Sequence, residues 1–316
     1  AYLDGTQNEA FGGDDIVTFA SDSAQASEAG YDPALVFHAG GGNDTLIGRA
    51  LDDLLAGDAG DDIIHGGGGF LDELDGGAGD DTITDDDGLL TAIGGAGNDT
   101  ITLNFDACWD DDDDTQTNPQ SVNRISGGSG SDVINVTAAS LDFYIALTAD
   151  GQTEEPVDGD DSVTLAGLYD TSLVKLGGGN DVFVGGIGSD EVRGGGNDDD
   201  ISGDAGDDLL FGDAGNDILR GTSGHNRLEG GTGDDTLIAG SGGDILVGGE
   251  GTDTIVGGAG NDTILFNSGI DVAFGDYGTF LTSDDAFISG GGGTNTLIGS
   301  DDGNIVDLNE SRYQGP

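Results

Sequence analysis

Acidic side chains recur at every ninth position over much of this 316-residue chain, and an apolar side chain follows two residues after each. With the acidic residue counted as the sixth of nine, the repeated phrase reads Gly-Gly-x-Gly-x-Asp-x-aliphatic-x. Carboxylates at a fixed spacing are candidate ligands for a hard cation, because such ions prefer oxygen donors. Cation binding then requires a fold that brings successive carboxylates together.

The phrase occurs in two arrays. The main array, residues 176–265, keeps its phase through ten units, with sixth positions Asp181, Asp190, Asp199, Asp208, Asp217, Asn226, Asp235, Asp244, Asp253 and Asp262. A less regular array within residues 39–135 has sixth positions Asp44, Asp53, Asp62, Asp81, Asp99 and Asp132. It is interrupted by a ten-residue unit at 66–75, by a unit at 85–93 that has lost the first two glycines, and by an acidic insertion at about 103–117.

The spacing predicts short strands separated by tight turns. The seventh to ninth residues predict a β-strand whose eighth side chain points inward. The glycines before them predict a turn, because glycine tolerates positive φ and close approach of neighbouring backbones. Two strand–turn units form one coil, and parallel coils stack about 4.8 Å apart. We therefore predict an all-β fold, a parallel β-roll or β-solenoid with a non-repeat β-rich insertion, in which each carboxylate lies above the one two units earlier.

Stacked carboxylates create an electrostatic problem that a cation would solve. Two carboxylates one strand spacing apart repel by roughly 0.9 kcal/mol even in the dielectric of water. Calcium takes about six to eight oxygens and mixes carboxylates with backbone carbonyls, both of which stacked glycine-rich turns supply. Magnesium demands near-octahedral geometry, and zinc prefers His or Cys ligands. The sequence therefore predicts multiple bound Ca²⁺ ions.

The phrase resembles that of the RTX (repeats-in-toxin) family of calcium-binding nonapeptide-repeat proteins. The resemblance implies a right-handed parallel β-roll, export by a type I secretion system, folding triggered by calcium, and an extracellular or cell-surface location. The family's ligands would be the sixth-position aspartates and fourth-position glycine carbonyls, here Gly42, Gly60, Gly79, Gly97, Gly179, Gly188, Gly206, Gly215, Gly233, Gly251 and Gly260. The pattern is broken by Asn226, Asn295 and Asn304 at sixth positions and by Asn197 and Leu51 at fourth positions. The C-terminal letters DLNESRYQGP show no evident secretion signal, so the export route rests on the family alone.

Departures from the phrase divide the chain into five predicted segments. They are lead-in strands or a cap at 1–38, the first array at 39–135, a non-repeat β segment at 136–175, the main roll at 176–265, and degenerate repeats with a C-terminal cap at 266–316.

The composition excludes several classes of partner. Lys and Arg number 7 against 63 Asp and Glu, for a formal net charge of −56. Such a chain is a poor partner for nucleic acid or an anionic membrane and a good one for cations. No apolar run approaches the roughly 18 residues needed to cross a bilayer, so no membrane insertion is expected. Cys108 is the single cysteine and is expected to be a buried thiol or a link between chains; the acidic run that follows it, up to Asp114, is expected to be a solvated loop.

The sequence contains no evident catalytic set. His38, His65 and His225 form no His-Glu-x-x-His motif, and the Gly-Ser phrases belong to repeat turns rather than to a nucleophile elbow. An ice-binding row of Thr and Asn is also not expected, because Ala and Gly predominate at the third positions and Thr232 is the one threonine there in the main array. We therefore predict a protein that is not an enzyme.

Three functions remain open on the sequence alone. The first is a secreted calcium-binding β-roll with a structural, cell-surface or extracellular-matrix and adhesion role. The second is the calcium-folding module of a larger secreted enzyme, such as a protease, a lipase or a polysaccharide-modifying enzyme. The third is a carbohydrate-binding or adhesive module within residues 136–175. Candidate partners are calcium ions, a cell-surface polysaccharide and other copies of the chain.

Overall fold

Short β-strands make up all the regular structure of the residues that the computed structural model describes. These residues are 11–18, 35–49, 52–68, 72–86, 89–105, 123–138, 145–150, 159–166, 171–266, 268–269, 271–275, 278–282, 286–290, 295–299 and 305–307. Within these ranges no helix is both long enough and apolar enough to cross a membrane. The chain divides into two compact units, Ala1–Leu168 and Tyr169–Pro316.

The described strands of the first unit form two sheets. The strands are β1 (Phe11–Gly12), β2 (Ile16–Thr18), β3 (Leu35–Gly41), β4 (Thr45–Ile47), β5 (Asp53–Ala59), β6 (Ile63–His65), β7 (Asp72–Ala78), β8 (Thr82–Asp85), β9 (Leu89–Ala96), β10 (Thr100–Phe105), β11 (Asn123–Ser129), β12 (Val133–Ala138), β13 (Ile145–Asp150) and β14 (Ser162–Ala166). One sheet has the order β1-β3-β5-β7-β9-β11-β13 and the other β2-β4-β6-β8-β10-β12-β14. Consecutive strands therefore lie in opposite sheets, and each strand pairs with the next but one.

The second unit repeats this arrangement. Its described strands are β15 (Ser172–Gly178), β16 (Val182–Val184), β17 (Glu191–Gly196), β18 (Asp200–Ser202), β19 (Leu209–Ala214), β20 (Ile218–Arg220), β21 (Arg227–Thr232), β22 (Thr236–Ile238), β23 (Ile245–Gly251), β24 (Thr254–Val256), β25 (Asp262–Phe266), β26 (Ser268–Gly269), β27 (Asp271–Gly275), β28 (Gly278–Thr282), β29 (Ala286–Gly290), β30 (Asn295–Gly299) and β31 (Ile305–Asp307). The sheet orders are β15-β17-β19-β21-β23-β25-β28-β30, with β26 also paired to β23, and β16-β18-β20-β22-β24-β27-β29-β31.

The register gives two nonapeptides per coil. In the second unit β19 pairs with β21 in parallel, with Leu209 opposite Arg227. In the first unit β3 pairs with β5 in the same way, with Leu35 opposite Asp53. Both offsets equal twice the nine-residue period of the sequence. The predicted all-β parallel β-roll is therefore confirmed for both units.

Side chains at the eighth position fill the space between the two sheets. Phe183 is fully buried, whereas Val182 and Val184 on either side of it are 45% and 41% exposed, as the pleat of a strand requires. The other eighth positions of the main array are also buried: Val192, Ile201, Leu210, Leu219, Leu228, Leu237, Leu246, Ile255 and Ile264. The predicted inward face is thus confirmed.

The turns depend on left-handed backbone at the second and fourth positions. Fourth-position Gly206 has φ 138°, and a Cβ added to it would collide with the carbonyl oxygen of Gly188 in the preceding coil. Only glycine fits such a position. Positive φ also occurs at non-glycine residues, namely Asp58, Asn197, Asp204, Asp213 and Thr222. Asp and Asn tolerate this conformation, but a β-branched residue is strained in it.

Thr222→Gly is expected to stabilise the calcium-loaded protein by about 1 kcal/mol. Thr222 has φ 66°, and a β-branched side chain in this region costs about 1–3 kcal/mol, part of which the flexibility of glycine offsets. Thr232→Gly is the control, because exposed Thr232 lies in β21 and is not among the positive-φ residues. Thermal unfolding in excess calcium measures both. A melting temperature for Thr222→Gly at or below that of wild type would contradict the assignment of strain.

Part of the segment predicted as non-repeat, 136–175, joins the coils. β14 pairs in parallel with β12, placing Val163 opposite Ile134, and both side chains are fully buried. Residues 159–166 therefore continue the stacking of the first unit. The division between the compact units also falls within 136–175. The proposed carbohydrate-binding role of this segment stays a prediction.

Several sequence predictions fall on residues that the structure does not describe. They concern Cys108 and the acidic run up to Asp114, Leu51 and Asn304, and most of the N-terminal and C-terminal segments.

Candidate metal centre

The sixth-position aspartates of the second unit are buried and joined from coil to coil. On one side of the roll, Asp199 donates its backbone N–H to Oδ1 of Asp217 at 2.8 Å, and Asp217 donates to Oδ1 of Asp235 at 2.9 Å. Asp181 and Asp253 extend this ladder at its two ends. Each of these residues is at most 2% exposed, so the ladder runs inside the turns.

The opposite side of the second unit carries the same ladder with one substitution. Asp190 donates its N–H to Oδ1 of Asp208 at 2.9 Å, and Asp208 donates to Oδ1 of Asn226 at 2.9 Å. Asn226 then donates to Oδ1 of Asp244, which donates to Asp262. Asn226 therefore preserves the hydrogen bond and removes one negative charge from the row.

The first unit has an equivalent ladder. Asp99 donates its N–H to Oδ1 of Asp132 at 2.7 Å although 33 residues separate them, because residues 106–122 intervene in the sequence. The same contact joins the successive members Asp44, Asp62, Asp81 and Asp99, and Asp132 continues it to Asp161. The regular spacing of carboxylates thus survives an irregular spacing in sequence.

A second ladder follows the exposed fifth positions in the opposite direction. Oδ1 of Asp198 accepts the backbone N–H of Asn216 at 2.7 Å, and Oδ1 of Asn216 accepts that of Asp234 at 2.9 Å. In the first unit Asn43 accepts from Asp61 in the same way. In this part of the row, the side-chain amide of Asn216 lies between the carboxylates of Asp198 and Asp234. Like charges are therefore not direct neighbours there.

The second oxygen of many buried carboxylates has no donor. Oδ2 is buried without a hydrogen-bond partner in Asp44, Asp62, Asp72, Asp81, Asp99, Asp199, Asp208, Asp217, Asp235 and Asp244. A buried ionised oxygen without a compensating group is strongly unfavourable. Each of these atoms therefore requires either a proton or a cation.

The unpartnered oxygen faces a small space that only glycine leaves open. A Cβ added to first-position Gly212 would collide with Oδ2 of Asp217 and lie 2.6 Å from the carbonyl oxygen of Gly230 in the next coil. Gly230 stands in the same relation to Asp235 and Gly248. Each such space brings together a carboxylate oxygen and a backbone carbonyl oxygen from successive coils. Calcium uses both kinds of donor, so these residues fit it.

Burial makes these carboxylates hard to ionise in the absence of a cation. It raises the pKa of Asp81, Asp99, Asp208 and Asp235 from the ordinary value of 3.8 to about 7, although the ladder N–H groups favour the ionised form. Burial, reinforced by the neighbouring carboxylates, raises the pKa of Asp199 to about 8. A divalent ion would therefore have to displace protons from part of the row near neutral pH.

The fourth-position glycines are positioned by a different contact. The carbonyl oxygen of Gly188 lies where a Cβ of Gly206 would be, and Gly215 bears the same relation to Gly233. The same stacking includes Gly42, Gly60, Gly79, Gly97, Gly251 and Gly260. Gly179 instead donates its N–H to the carbonyl of Gly196 at 3.2 Å. That these carbonyls share a cation with the sixth-position aspartates stays a prediction.

Two predicted ligands have both carboxylate oxygens engaged within the chain. Arg49 binds Asp53 with its guanidinium at 2.9 and 3.0 Å from Oδ1 and with its backbone N–H at 2.6 Å from Oδ2. Asp190 accepts from the hydroxyl and backbone N–H of Ser172 and, at 3.4 Å, from the N–H of Gly186. In these two aspartates, both carboxylate oxygens already accept hydrogen bonds from within the chain.

Three buried aspartates lie in or beside the ladders although the nonapeptide phase does not include them. Asp72 accepts the N–H of Asp53, and Asp161 accepts that of Asp132. Each precedes a buried aliphatic residue by two positions, which was a usable signal in the sequence. Asp85 stands at a first position, where the phrase has glycine, and no part of the phrase indicates it.

The nonapeptide repeats of this chain match a known protein family. A family model described as the RTX calcium-binding nonapeptide repeat, in four copies, matches residues 38–70, 71–88, 91–107, 121–137, 176–210, 211–246 and 238–273. Together these matches cover more than half of the chain. The chain belongs to this RTX family. The predicted resemblance is confirmed, and calcium is the cation that the RTX repeats are described as binding.

Other comparisons add little to the RTX assignment. No curated protein gives a significant match to the chain. Among solved structures, the X-ray structure of a hyperactive, Ca²⁺-dependent, β-helical antifreeze protein from an Antarctic bacterium aligns with 96% of this chain and 86% of that one. The identity is 18% and the TM-score 0.41. The roll described above rests on the strand pairing within this chain.

Asp235→Asn is expected to raise the calcium concentration for half-maximal folding of this RTX chain about tenfold, equivalent to about 1.4 kcal/mol. Asparagine keeps the ladder hydrogen bond, as Asn226 does, but removes the negative charge beside the space at first-position Gly230. Asp234→Asn is the matched control, because it removes the same charge from the exposed fifth-position row, where Asp234 accepts the backbone N–H of Thr252. Circular dichroism against free calcium measures both, and equal shifts for the two variants would refute the assignment.

Proposed function

We propose that this RTX chain is a secreted β-roll that folds on calcium outside the cell and then serves as a non-enzymatic structural protein of the cell surface or extracellular matrix. The observation that carries this proposal is the row of buried carboxylate oxygens without hydrogen-bond donors. Such a row makes the folded state dependent on a cation at neutral pH. A protein built in this way can stay unfolded where free calcium is scarce and fold where it is abundant.

Two kinds of oxygen from this chain would bind calcium: side-chain carboxylates and backbone carbonyls. Sixth-position carboxylates such as Asp217 would hold the ion with Oδ2, while Oδ1 remains fixed by the N–H of Asp199. First-position carbonyls such as that of Gly230 would supply further oxygens from the next coil. Bound calcium contributes positive charge and coordination to several oxygens, which ties one coil to the next.

A location outside the cell suits both the chemistry and the surface. Extracellular calcium modules bind with dissociation constants of about 10⁻⁴ to 10⁻³ M, a range that keeps them empty in the cytosol. The fifth-position row leaves carboxylates such as Asp198 and Asp234 exposed after the buried sites are filled. Such a surface supports calcium-mediated association with an acidic cell-surface polysaccharide or with other copies of the chain.

The role is tested by locating the protein in cultures of the organism that makes it. An antibody against the chain should detect it on washed cells or in the surrounding matrix, and a chelator wash should release it in a form sensitive to protease. The purified, calcium-loaded chain should show no hydrolysis of casein, triglyceride or polysaccharide. Retention of the protein inside the cells would refute the extracellular role, and a measurable hydrolase activity would refute the non-enzymatic one.

A further inference from the structure

One place in the first unit brings two buried carboxylates together outside the nonapeptide phase. A Cβ added to Gly66 would lie 3.1 Å from Oδ2 of Asp72 and 3.2 Å from Oδ1 of Asp85. Asp72 is fully buried, and Asp85 is 3% exposed. Oδ2 of Asp72 has no hydrogen-bond partner and is directed into this space. Its Oδ1 is fixed by the N–H of Asp53 at 2.7 Å.

The position of Asp85 corresponds to that of a carbonyl ligand in the regular turns. Where Gly212 faces Asp217, the second donor is the first-position carbonyl of the next coil. Where Gly66 faces Asp72, the nearest atoms from the next coil belong instead to the side chain of Asp85. The nonapeptide that begins at Asp85 lacks the glycines that occupy the first two positions of a regular turn. The side chain of Asp85 therefore takes the place that a first-position backbone carbonyl takes in a regular turn.

Burial withdraws this pair of carboxylates from water. On one side, Arg49 already neutralises Asp53, with guanidinium contacts of 2.9 and 3.0 Å. On the other side, β10 pairs with β8 and places Leu103, which is fully buried, opposite Asp85. Two carboxylates in such an enclosed place attract a divalent cation strongly, because solvent does not screen their charge.

We propose that Asp72 and Asp85 jointly hold one calcium ion, at a site with two carboxylates in the first unit. The proposal rests on the calcium-dependent folding proposed above. It assigns a ligand role to a first-position side chain, which the regular RTX turn fills with glycine. It also places the ion at Asp72 rather than at Asp53, whose oxygens Arg49 and its backbone occupy.

Equilibrium dialysis with radioactive calcium, at saturating free calcium and neutral pH, tests the site in the full chain. Asp85→Asn removes the charge, and Asp85→Leu replaces it with the residue that occurs at 103 in the next coil, so the packing is preserved. Both variants are expected to bind one ion fewer than wild type while retaining its circular dichroism. Asp86→Asn is the matched control, since Asp86 is the exposed neighbour whose Oδ1 accepts from Asn104 at 3.0 Å.

The outcomes separate this inference from the one on which it rests. A loss of one ion in both Asp85 variants, with none in Asp86→Asn, supports the site. If wild type binds calcium and the variants show any other pattern, the site is refuted. An unchanged ion count in the Asp85 variants would mean that the two carboxylates share a proton instead of an ion. Asp217→Asn provides the reference for a regular turn. A wild-type chain that binds no calcium would instead refute the proposed function itself.

Discussion

Chelation of calcium at neutral pH is expected to abolish the β-sheet circular dichroism of this protein and to expand the chain. The reason is the buried ladder, where orphan oxygens such as Oδ2 of Asp99 and Asp217 lose their counter-ion. At neutral pH these carboxyls either ionise with neither donor nor counter-ion or hold protons that their raised pKa values, about 7 and about 6, retain only in part. The 63 acidic residues against 7 basic ones add repulsion over the whole surface. Restoring calcium at about 10⁻⁴ to 10⁻³ M should compact the chain cooperatively.

The size of this effect distinguishes a structural cation from an accessory one. Small-angle scattering and circular dichroism should change together along one calcium titration, because each ion joins two coils and the coils depend on their neighbours. Magnesium at the same concentration should restore little structure, given its stricter geometry. A chelated protein as compact and as heat-resistant as the loaded one would contradict both the proposed sites and the proposed function.

Acidification of the metal-free chain is expected to restore much of the β-structure that chelation removes. Burial raises the pKa of Asp81, Asp99, Asp208 and Asp235 from 3.8 to about 7 and that of Asp199 to about 8. The folded state therefore binds protons more tightly than the unfolded state does. Linkage makes the proton-dependent stability complete below about pH 3.8, and it is lost as the pH rises through about 7 to 8.

A pH titration in the presence of chelator measures this effect directly. The far-ultraviolet signal should grow as the pH falls from about 8 to about 4, and calcium should cease to affect it at the acidic end. Asp235→Asn should shift the midpoint towards neutral pH, because one fewer buried carboxylate needs a proton, whereas Asp234→Asn should leave it nearly unchanged. A metal-free chain that remains unfolded throughout the range would show that protons cannot replace the cation.

The periodic part of the fold was predictable because a single local rule repeats. Asp217 and Leu219 illustrate it: the acid two residues before the aliphatic fixes which side chain enters the turn and which enters the core. Stacking then follows from the offset of two units. The phrase does not reveal that the two oxygens of one carboxylate differ: Oδ1 of Asp217 accepts a backbone N–H, whereas its Oδ2 has no hydrogen-bond donor.

Sites where the phrase degenerates could not be predicted from the phrase alone. Arg49 engages Asp53 through contacts that depend on the side-chain conformation of an otherwise ordinary turn residue. A one-residue insertion takes Asp72 out of the nonapeptide phase, and the pairing of β5 with β7 absorbs it by placing Leu54 opposite Glu73 instead of Asp72. Asp85 enters the interior because β8 extends one residue further than β6. Each depends on tertiary context rather than on local spacing.

The hydrogen-bond direction of the buried ladder gives the two ends of the roll unequal dependence on their neighbours. Each aspartate N–H finds its acceptor one coil later in the sequence, as Asp199 does in Asp217. Truncation from the N-terminal side would leave each remaining buried sixth-position amide its acceptor and would remove acceptors only from exposed fifth-position amides, which water can satisfy. Truncation from the C-terminal side would deprive a buried amide of the last coil of its acceptor. Shortened chains should consequently tolerate loss of their leading coils better than loss of their trailing ones.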